Sequence, residues 1–418
     1  MSDNRSPALG FILITILIDV IGLGIIIPVV PTLIRQLTGE GLSQAAVYSG
    51  WLTFAYAGAQ FCFAPVMGGL SDKWGRRPVL LAALLGLGLD YVFLSFAPTL
   101  AWLFVGRVVA GITGASFTTA TAYIADISTP KNRAQNFGMV GAAFGIGFMV
   151  GPALGGLLAG FGSRVPFMAA AGLSLCNFLY GLLVLPESLE PAKRRPFEWA
   201  RANPLASLLR LGRYPAVLGL VASLVLIYLA GSAVQSVWTF YTELKFGWST
   251  GWVGLSLGVI GLFSVLVQGG LVRVAIPKLG AARAIAVGLL CYAVGFVLFA
   301  FASRGWLMLA FLAPYCLGGI AGPALQSTIS GQVPATEQGE LQGALTSLMS
   351  ATGVVGPLLM TGLFRYFTRP AAPVHFPGAP FLLGAVLALA SAALAVRSLR
   401  RHPPREAGAS PLEATPAH

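Results

Sequence analysis

Long apolar runs separated by short polar ones recur along the whole chain. A bilayer hydrocarbon core about 30 Å thick is crossed by about 20 helical residues. Stretches of that length fall near 8–33, 46–70, 78–97, 100–127, 134–160, 165–185, 214–241, 249–272, 283–303, 305–332, 340–364 and 376–397. The polar interruptions are short except between the sixth and seventh runs, where PESLEPAKRRPFEWARANP gathers charge and proline. This pattern predicts an all-α integral membrane protein with twelve transmembrane helices. It is divided into a six-helix bundle over 1–186, a linker over 187–213, a second six-helix bundle over 214–397 and a tail over 398–418.

Composition narrows the class. Of 418 residues, 56% are hydrophobic and 10% charged, with a mean hydropathy of +0.80. A soluble protein carries about 25% charged residues, so a soluble multidomain enzyme and a nucleic-acid binder are both excluded despite a net charge of +12. The basic excess has a direction. With the N-terminus inside, 19 of the 26 Lys and Arg fall in inner segments and 6 in outer ones, with Arg107 within a span. That bias obeys the positive-inside rule and puts both termini in the cytoplasm, with the chain in the cell inner membrane. A secretory signal is not expected, because the first run is longer than a signal core and lacks a small-residue cleavage site. Cys62, Cys176, Cys291 and Cys316 lie in apolar runs without CxxC pairing, and His375, His402 and His418 lie in a loop and the tail. Neither set reads as a metal site, and no cofactor is expected.

The two halves echo one another. Gly68-Gly69-Leu70 recurs as Gly269-Gly270-Leu271, 201 positions on; Val150-Gly151-Pro152 recurs as Val355-Gly356-Pro357, 205 on; and Gly111-Ile112-Thr113-Gly114 resembles Gly319-Ile320-Ala321-Gly322, 208 on. Ordered matches at equivalent spans argue for a duplicated six-helix unit, the plan of carriers that rock two bundles about a midplane site.

A charge at the centre of a spanning helix costs about 2.5–3.5 kcal/mol on insertion scales, so each needs a reason. Three stand out: Asp19 in the first span, Asp90 in the third and Arg107 in the fourth. At 1.5 Å per residue Asp90 and Arg107 each lie about 10 Å from the outer end of their spans, which makes them a candidate ion pair. Asp19 is near the middle of its span with no opposite charge at its depth in the N-half. Such a carboxyl can load a proton on one side and release it on the other, as a proton-coupled carrier requires. The purely structural alternative is that the three charges lock helices together. An aspartyl-protease dyad needs two carboxyls about 3 Å apart, whereas the depths of Asp19 and Asp90 differ by roughly 8 Å; an enzyme is not expected.

The interiors of the six C-terminal spans hold no Asp, Glu, Lys, Arg or His. For a ligand they offer Gln235 and Trp238 at i, i+3 spacing, Tyr241, Gln268, Gln326 and Gln342, while Tyr56 and Gln60 in the second span are the N-half counterparts. Glutamines of this kind also serve as glue between helices.

Between the second and third spans the chain reads GGLSDKWGRRP, from Gly68 to Pro78. Asp72 can pair with Arg76 at i+4 and cap a neighbouring helix, and Arg76 can reach Asp126 at the inner end of span four. With Gly68, Gly75 and Arg77 these residues form an expected cytoplasmic gate. Span five carries GFMVGPALGG, in which Gly147, Gly151, Gly155 and Gly156 permit close helix approach and Pro152 permits a bend.

These segments resemble the major facilitator superfamily: GGLSDKWGRRP its loop signature, Arg107 within VGRVVAGITGA its fourth-helix motif, and GFMVGPALGG the fifth-helix motif of drug/proton antiporters. LIDVIGLGIIIPVVPTL, YAGAQFCFAPVMGGLSD, LGLDYVFLSFA and GGIAGPALQSTISGQ followed by GELQGALTSLMSATGVVGPLL resemble the tetracycline-efflux branch, over about 9–364. The resemblance implies that Asp19, Asp90 and Arg107 serve proton-coupled export and that Asp72, Arg76 and Asp126 form the latch. Two positions depart from it. Tyr292 stands where the branch carries an acidic residue in the ninth span, and Ser264 where members can carry a histidine in the eighth. Those differences imply a different proton path. The expectation is a proton-coupled exporter of amphipathic drug-like molecules, tetracycline-like compounds included, that works as a monomer with small molecules, protons and the bilayer as its partners. A uniporter or symporter of a metabolite such as a sugar or lipid-like solute is the alternative.

Overall fold

The computed structural model describes residues 5–114, 116–128, 133–194, 196–197, 215–333 and 338–401. Much of the linker and nearly all of the tail lie outside them. Among the described residues the regular structure is entirely helical. Eight helices precede the linker: α1 (Arg5–Ile26), α2 (Val30–Thr38), α3 (Leu42–Trp74), α4 (Arg76–Ser95), α5 (Leu100–Thr113), α6 (Ser116–Ile127), α7 (Arg133–Leu158) and α8 (Val165–Val184). Eight follow it: α9 (Pro215–Phe246), α10 (Thr250–Leu266), α11 (Val272–Leu279), α12 (Ala281–Phe301), α13 (Gly305–Leu317), α14 (Ala321–Gly331), α15 (Gln338–Thr368) and α16 (Ala379–Arg401).

Sixteen helices make twelve spans because four spans are interrupted. Pro28 and Pro31 cannot continue α1, so Ile27 and Val29 close short turns onto Gly24 and Ile26 before α2 resumes. Span four is described as two helices, α5 ending at Thr113 and α6 starting at Ser116, and span ten has a 3₁₀ turn, Gly318–Ile320, between α13 and α14. A π-helical turn, Val267–Leu271, interrupts span eight. Among the described residues ten helical stretches are long and apolar enough to cross a membrane, and α5 is a shorter apolar one. The span missing from that set is α3. Its 33 residues would reach about 50 Å, but Ser43, Gln44, Tyr48, Thr53, Tyr56, Gln60 and Asp72 make it too polar to stand out by hydropathy.

The bundles meet along two seams, α3 with α15 and α7 with α10. Contact is concentrated on the side remote from the termini. There Ser43 lies 2.7 Å from Thr368 across the seam, and a Cβ added to Gly261 would lie 2.5 Å from the Met149 backbone. Towards the termini a Cβ added to Gly58, Gly68, Gly141, Gly269 or Gly270 would meet nothing within 4 Å. Among the described residues the close approaches between the bundles thus lie towards the face remote from the termini.

Candidate functional site

The midplane charges lie in two clusters. Asp90 on α4 meets Arg107 on α5 at 3.4 Å, with 1% and 13% of the side chains exposed. Gly106 makes this approach possible: a Cβ there would lie 2.9 Å from Asp90 Oδ1 and strike Leu94. The Arg107 guanidinium also lies 5.9 Å from the Tyr56 ring centre, within range of a cation–π contact. Tyr56 Oη accepts from Gln60 Nε2 at 3.3 Å, and the same amide donates to the Gly114 carbonyl. A polar chain therefore runs from α4 through α5 to half-buried side chains on α3, joining two predicted ligand residues to the predicted ion pair.

Asp19 belongs to the second cluster. It is buried, and Asn177 on α8 donates to its Oδ1 at 3.5 Å. Asn177 also donates to the Thr15 carbonyl at 3.3 Å and accepts from the Thr15 hydroxyl at 3.2 Å. One helical turn along, the buried hydroxyls of Tyr91 and Ser174 face Gly22 and have no hydrogen-bond partner among the described residues. The two carboxylates take different partners on different helices, so their arrangement is not a shared-proton dyad.

At the α3–α4 turn the loop residues converge as their spacing suggested. Arg76 binds Asp72 at 2.5 Å, Asp126 at 3.0 Å and the Ser71 hydroxyl at 2.6 Å. Gly75 holds φ at +106°, which an L side chain rarely adopts, and a Cβ there would collide with Glu187. That close approach lets Glu187 accept from the backbone N–H of Arg76 at 2.9 Å and of Arg77 at 3.2 Å, placing a carboxylate on the α4 N-terminus. Arg77 donates to the Leu182 carbonyl at 2.8 Å, and Ser188 reaches Asp126 at 3.3 Å. The α4 N-terminus is thus capped by Glu187. The cluster ties α3, α4, α6 and the start of the linker together; Asp72 keeps 45% of its side chain exposed. The Gly68 carbonyl accepts from the Ser71 hydroxyl at 2.8 Å, and a Cβ at Gly68 would meet nothing within 4 Å.

The glycines of α7 serve two faces. Gly147, Gly151 and Gly155 press against Val20, Gly24 and Ile25 of α1, while Gly156 faces Gly251 and Gly254 of α10 in the other bundle. Pro152 sits inside an unbroken α7, packed against Gly24.

The C-terminal candidates divide. Trp238 and Tyr241 are core side chains in this conformation: the indole N–H donates to Ser256 Oγ at 2.9 Å, and the Tyr241 hydroxyl donates to the Phe299 carbonyl at 2.6 Å. Trp238 and Gln235 are neighbours at i, i+3 on α9 but differ in burial, the first buried and the second exposed. Gln235, Gln268 and Gln326 are exposed, and Gln326 donates to Tyr228 Oη at 2.9 Å. Gln342 lies on α15 with its side chain outside the described residues. Tyr292 packs its ring 5.2 Å from Tyr315 and 6.3 Å from Phe296, and Ser264 is half-buried.

Sequence reasoning missed the groups that hold the charges in place. Asn177 had a signal, being the single amide in an apolar span, and Glu187 follows that span directly. Arg35 and Glu243 had none, because their 2.7 Å ion pair crosses between bundles. Glu243 and Lys245 also correct the expected end of the seventh span, since α9 runs on to Phe246 and carries both charges in its last turns.

Comparison with known proteins accords with this geometry. The family model described as Major Facilitator Superfamily matches residues 12–357 and 274–418. The class C tetracycline resistance protein of Escherichia coli is 40% identical over 393 residues, covering 93% of this chain and 96% of that protein. The class G protein of Vibrio anguillarum is 39% identical over 392 residues, 92% of this chain and 96% of the relative. Among solved structures, a bacterial homologue of the human lysosomal transporter Spinster, in an inward-facing unoccupied conformation, superposes with a TM-score of 0.78 at 16% identity. The match covers 96% of this chain and 98% of that one, and it speaks to fold alone.

Proposed function

The chain belongs to the major facilitator superfamily, and on that premise we propose that it exports amphipathic drug-like molecules, tetracycline-like compounds among them, in exchange for protons. The observation that carries this reading is a carboxyl buried in the first span, Asp19, to which the Asn177 amide donates at 3.5 Å. A carboxyl so held can be neutral in one crossing and charged in the next, whereas Asp90 is committed to Arg107. Moving one charge across 100 mV is worth about 2.3 kcal/mol, enough to drive substrate uphill. The relatives named for tetracycline resistance support the substrate class.

In this reading the protein is a monomer in the bacterial inner membrane with both termini in the cytoplasm. It moves its substrate without altering it. Tyr56, Gln60, Gln235, Gln268 and Gln326 offer the neutral polar contacts, and Tyr292 in place of an acid leaves the coupling to the N-terminal half. Arg76 holds Asp72 where its exposed side can meet a helix N-terminus of the opposite bundle when the cytoplasmic side closes.

The test is transport in proteoliposomes under an imposed pH gradient, screened against tetracyclines, other amphipathic compounds and sugars. Asp19→Asn is expected to abolish proton-driven accumulation while the protein remains folded; retained uphill transport would remove its coupling role. Asp72→Asn is expected to slow exchange with substrate binding intact, and unchanged rates would remove the latch. Movement independent of the gradient would make the protein a uniporter.

A further inference from the structure

At the end of the chain's last span, α16 and α12 leave a groove of about 540 Å³ that the transport reading does not use. Its floor is apolar and small: Ala286 and Leu290 from α12, Ala392, Ala393 and Val396 from α16. Its rim is Arg397, Arg400 and Arg401. Positions i, i+3 and i+4 share one helical face, so the three guanidinium groups gather at one end of the groove. None of them has an ion-pair partner among the described residues.

The surroundings say what solvent this groove meets. Val287, Leu290 and Val294 on α12 and Val386, Leu389 and Leu394 on α16 are large apolar side chains left exposed along the same two helices. In two helices apolar enough to span a membrane, such a surface faces acyl chains. The arginines come in the final turns of α16, where a spanning helix reaches the headgroup layer. A groove whose inner part is hydrocarbon-lined and whose outer rim carries three uncompensated cations matches one kind of molecule.

We propose that this groove is a binding site for one anionic phospholipid, with an acyl chain along Leu290, Ala393 and Val396 and its phosphate held by Arg397, Arg400 and Arg401. Three arginines at the ends of a span would serve topology wherever they pointed. Their convergence on a groove floored by alanines is what topology does not require. Guanidinium groups suit a phosphate because each can donate two parallel hydrogen bonds to it. The site lies on the outside of the C-terminal bundle, away from both seams, and its occupancy is independent of the proposed proton coupling.

The experiment is native mass spectrometry of the full chain, titrated with phosphatidylglycerol or with phosphatidylcholine of the same acyl chains. One phosphatidylglycerol is expected to bind in preference to phosphatidylcholine. Each arginine contributes about five-fold in affinity, the scale for a basic residue at an anionic membrane surface. R400Q/R401Q is therefore expected to weaken phosphatidylglycerol about 25-fold and leave phosphatidylcholine unchanged. Ala393→Phe fills the floor while keeping every charge, and is expected to remove the same bound lipid. Both changes are at exposed positions, and each tests the site if the other misfolds. Equal binding of the two lipids, or undiminished phosphatidylglycerol binding in either variant, would overturn the site. Binding that appears only after residues 402–418 are deleted would assign the groove to the chain's own tail and overturn it equally.

Discussion

The two halves of this protein share a plan and fill it differently. In the N-terminal helices the interior holds Asp19, Asp90, Arg107, Asn177 and Thr15, each charged group set against a polar partner on another helix. The C-terminal interior holds rings. Trp238, Phe299 and Phe381 sit with centroids 5.1–6.3 Å apart, and Tyr292, Phe296 and Tyr315 5.2–6.3 Å apart. Helices in lipid gain no hydrophobic drive from association, so packing and hydrogen bonds must hold each bundle. Ring pairs do this without a net charge. The charges within the spans thus belong to the N-terminal half, and the C-terminal interior is held largely by ring packing.

The sharpest way to break this comparison is to leave one N-terminal charge without its partner. Arg107→Leu strips the cation from a carboxylate that is 1% exposed, and an uncompensated buried charge typically costs 3–5 kcal/mol. That loss is expected in thermal unfolding of the purified protein, with Asp90→Asn/Arg107→Leu recovering most of it. A single variant as stable as the double would show that the pair is not the element that sets the N-terminal interior apart.

The difference between the halves was legible in the sequence, and the means of holding it was not. Asp19, Asp90 and Arg107 stand out because hydrocarbon makes each charge expensive, and the apolar runs give spans to within a few residues. Side-chain direction is another matter. Trp238 and Gln235 fit one helical face by spacing, yet α9 buries the first against Ser256 and exposes the second, because neighbours on every side of a helix inside a bundle override a one-face pattern. The π-helical break at Val267–Leu271 was likewise hidden, since hydropathy registers composition and not the pattern of backbone hydrogen bonds, whereas Pro28 and Pro31 mark the break at Ile27–Val29. Contacts between distant segments, such as Asn177 with Asp19 or Glu187 with the α4 N-terminus, leave no local periodicity to read.

Glu187 gives the next largest effect and sharpens the comparison at its edge. It serves three N–H groups, those of Arg76, Arg77 and Leu189, from a position just outside the sixth span. Glu187→Ala is expected to cost about 1–2 kcal/mol, the range for losing a helix N-cap, and to loosen the Arg76 cluster. Hydrogen exchange at the first turn of α4 would report it; unchanged protection there would mean that Arg76 with Asp126 suffices to hold the turn.

The smallest effect is also the most discriminating, because one substitution should have opposite signs in the two halves. Tyr91 and Tyr241 are both buried phenols, but only the second is satisfied. Tyr241 Oη donates to the Phe299 carbonyl at 2.6 Å and accepts from Lys245 at 2.9 Å, whereas Tyr91 Oη has no partner among the described residues. A net hydrogen bond is worth about 1 kcal/mol, and a buried polar group left unpaired costs about 1–3 kcal/mol. Tyr241→Phe removes two hydrogen bonds, leaving the Phe299 carbonyl with only the Ala302 N–H and the Lys245 ammonium with the Ala300 carbonyl, and is expected to destabilise by about 1–2 kcal/mol. Tyr91→Phe removes an unpaired hydroxyl and leaves nothing behind, so it is expected to be neutral or to stabilise by up to about 1 kcal/mol. Denaturation of the two variants side by side decides it. A loss at Tyr91 as large as that at Tyr241 would mean that its hydroxyl is bonded in the working protein, and the contrast between the two phenols would vanish.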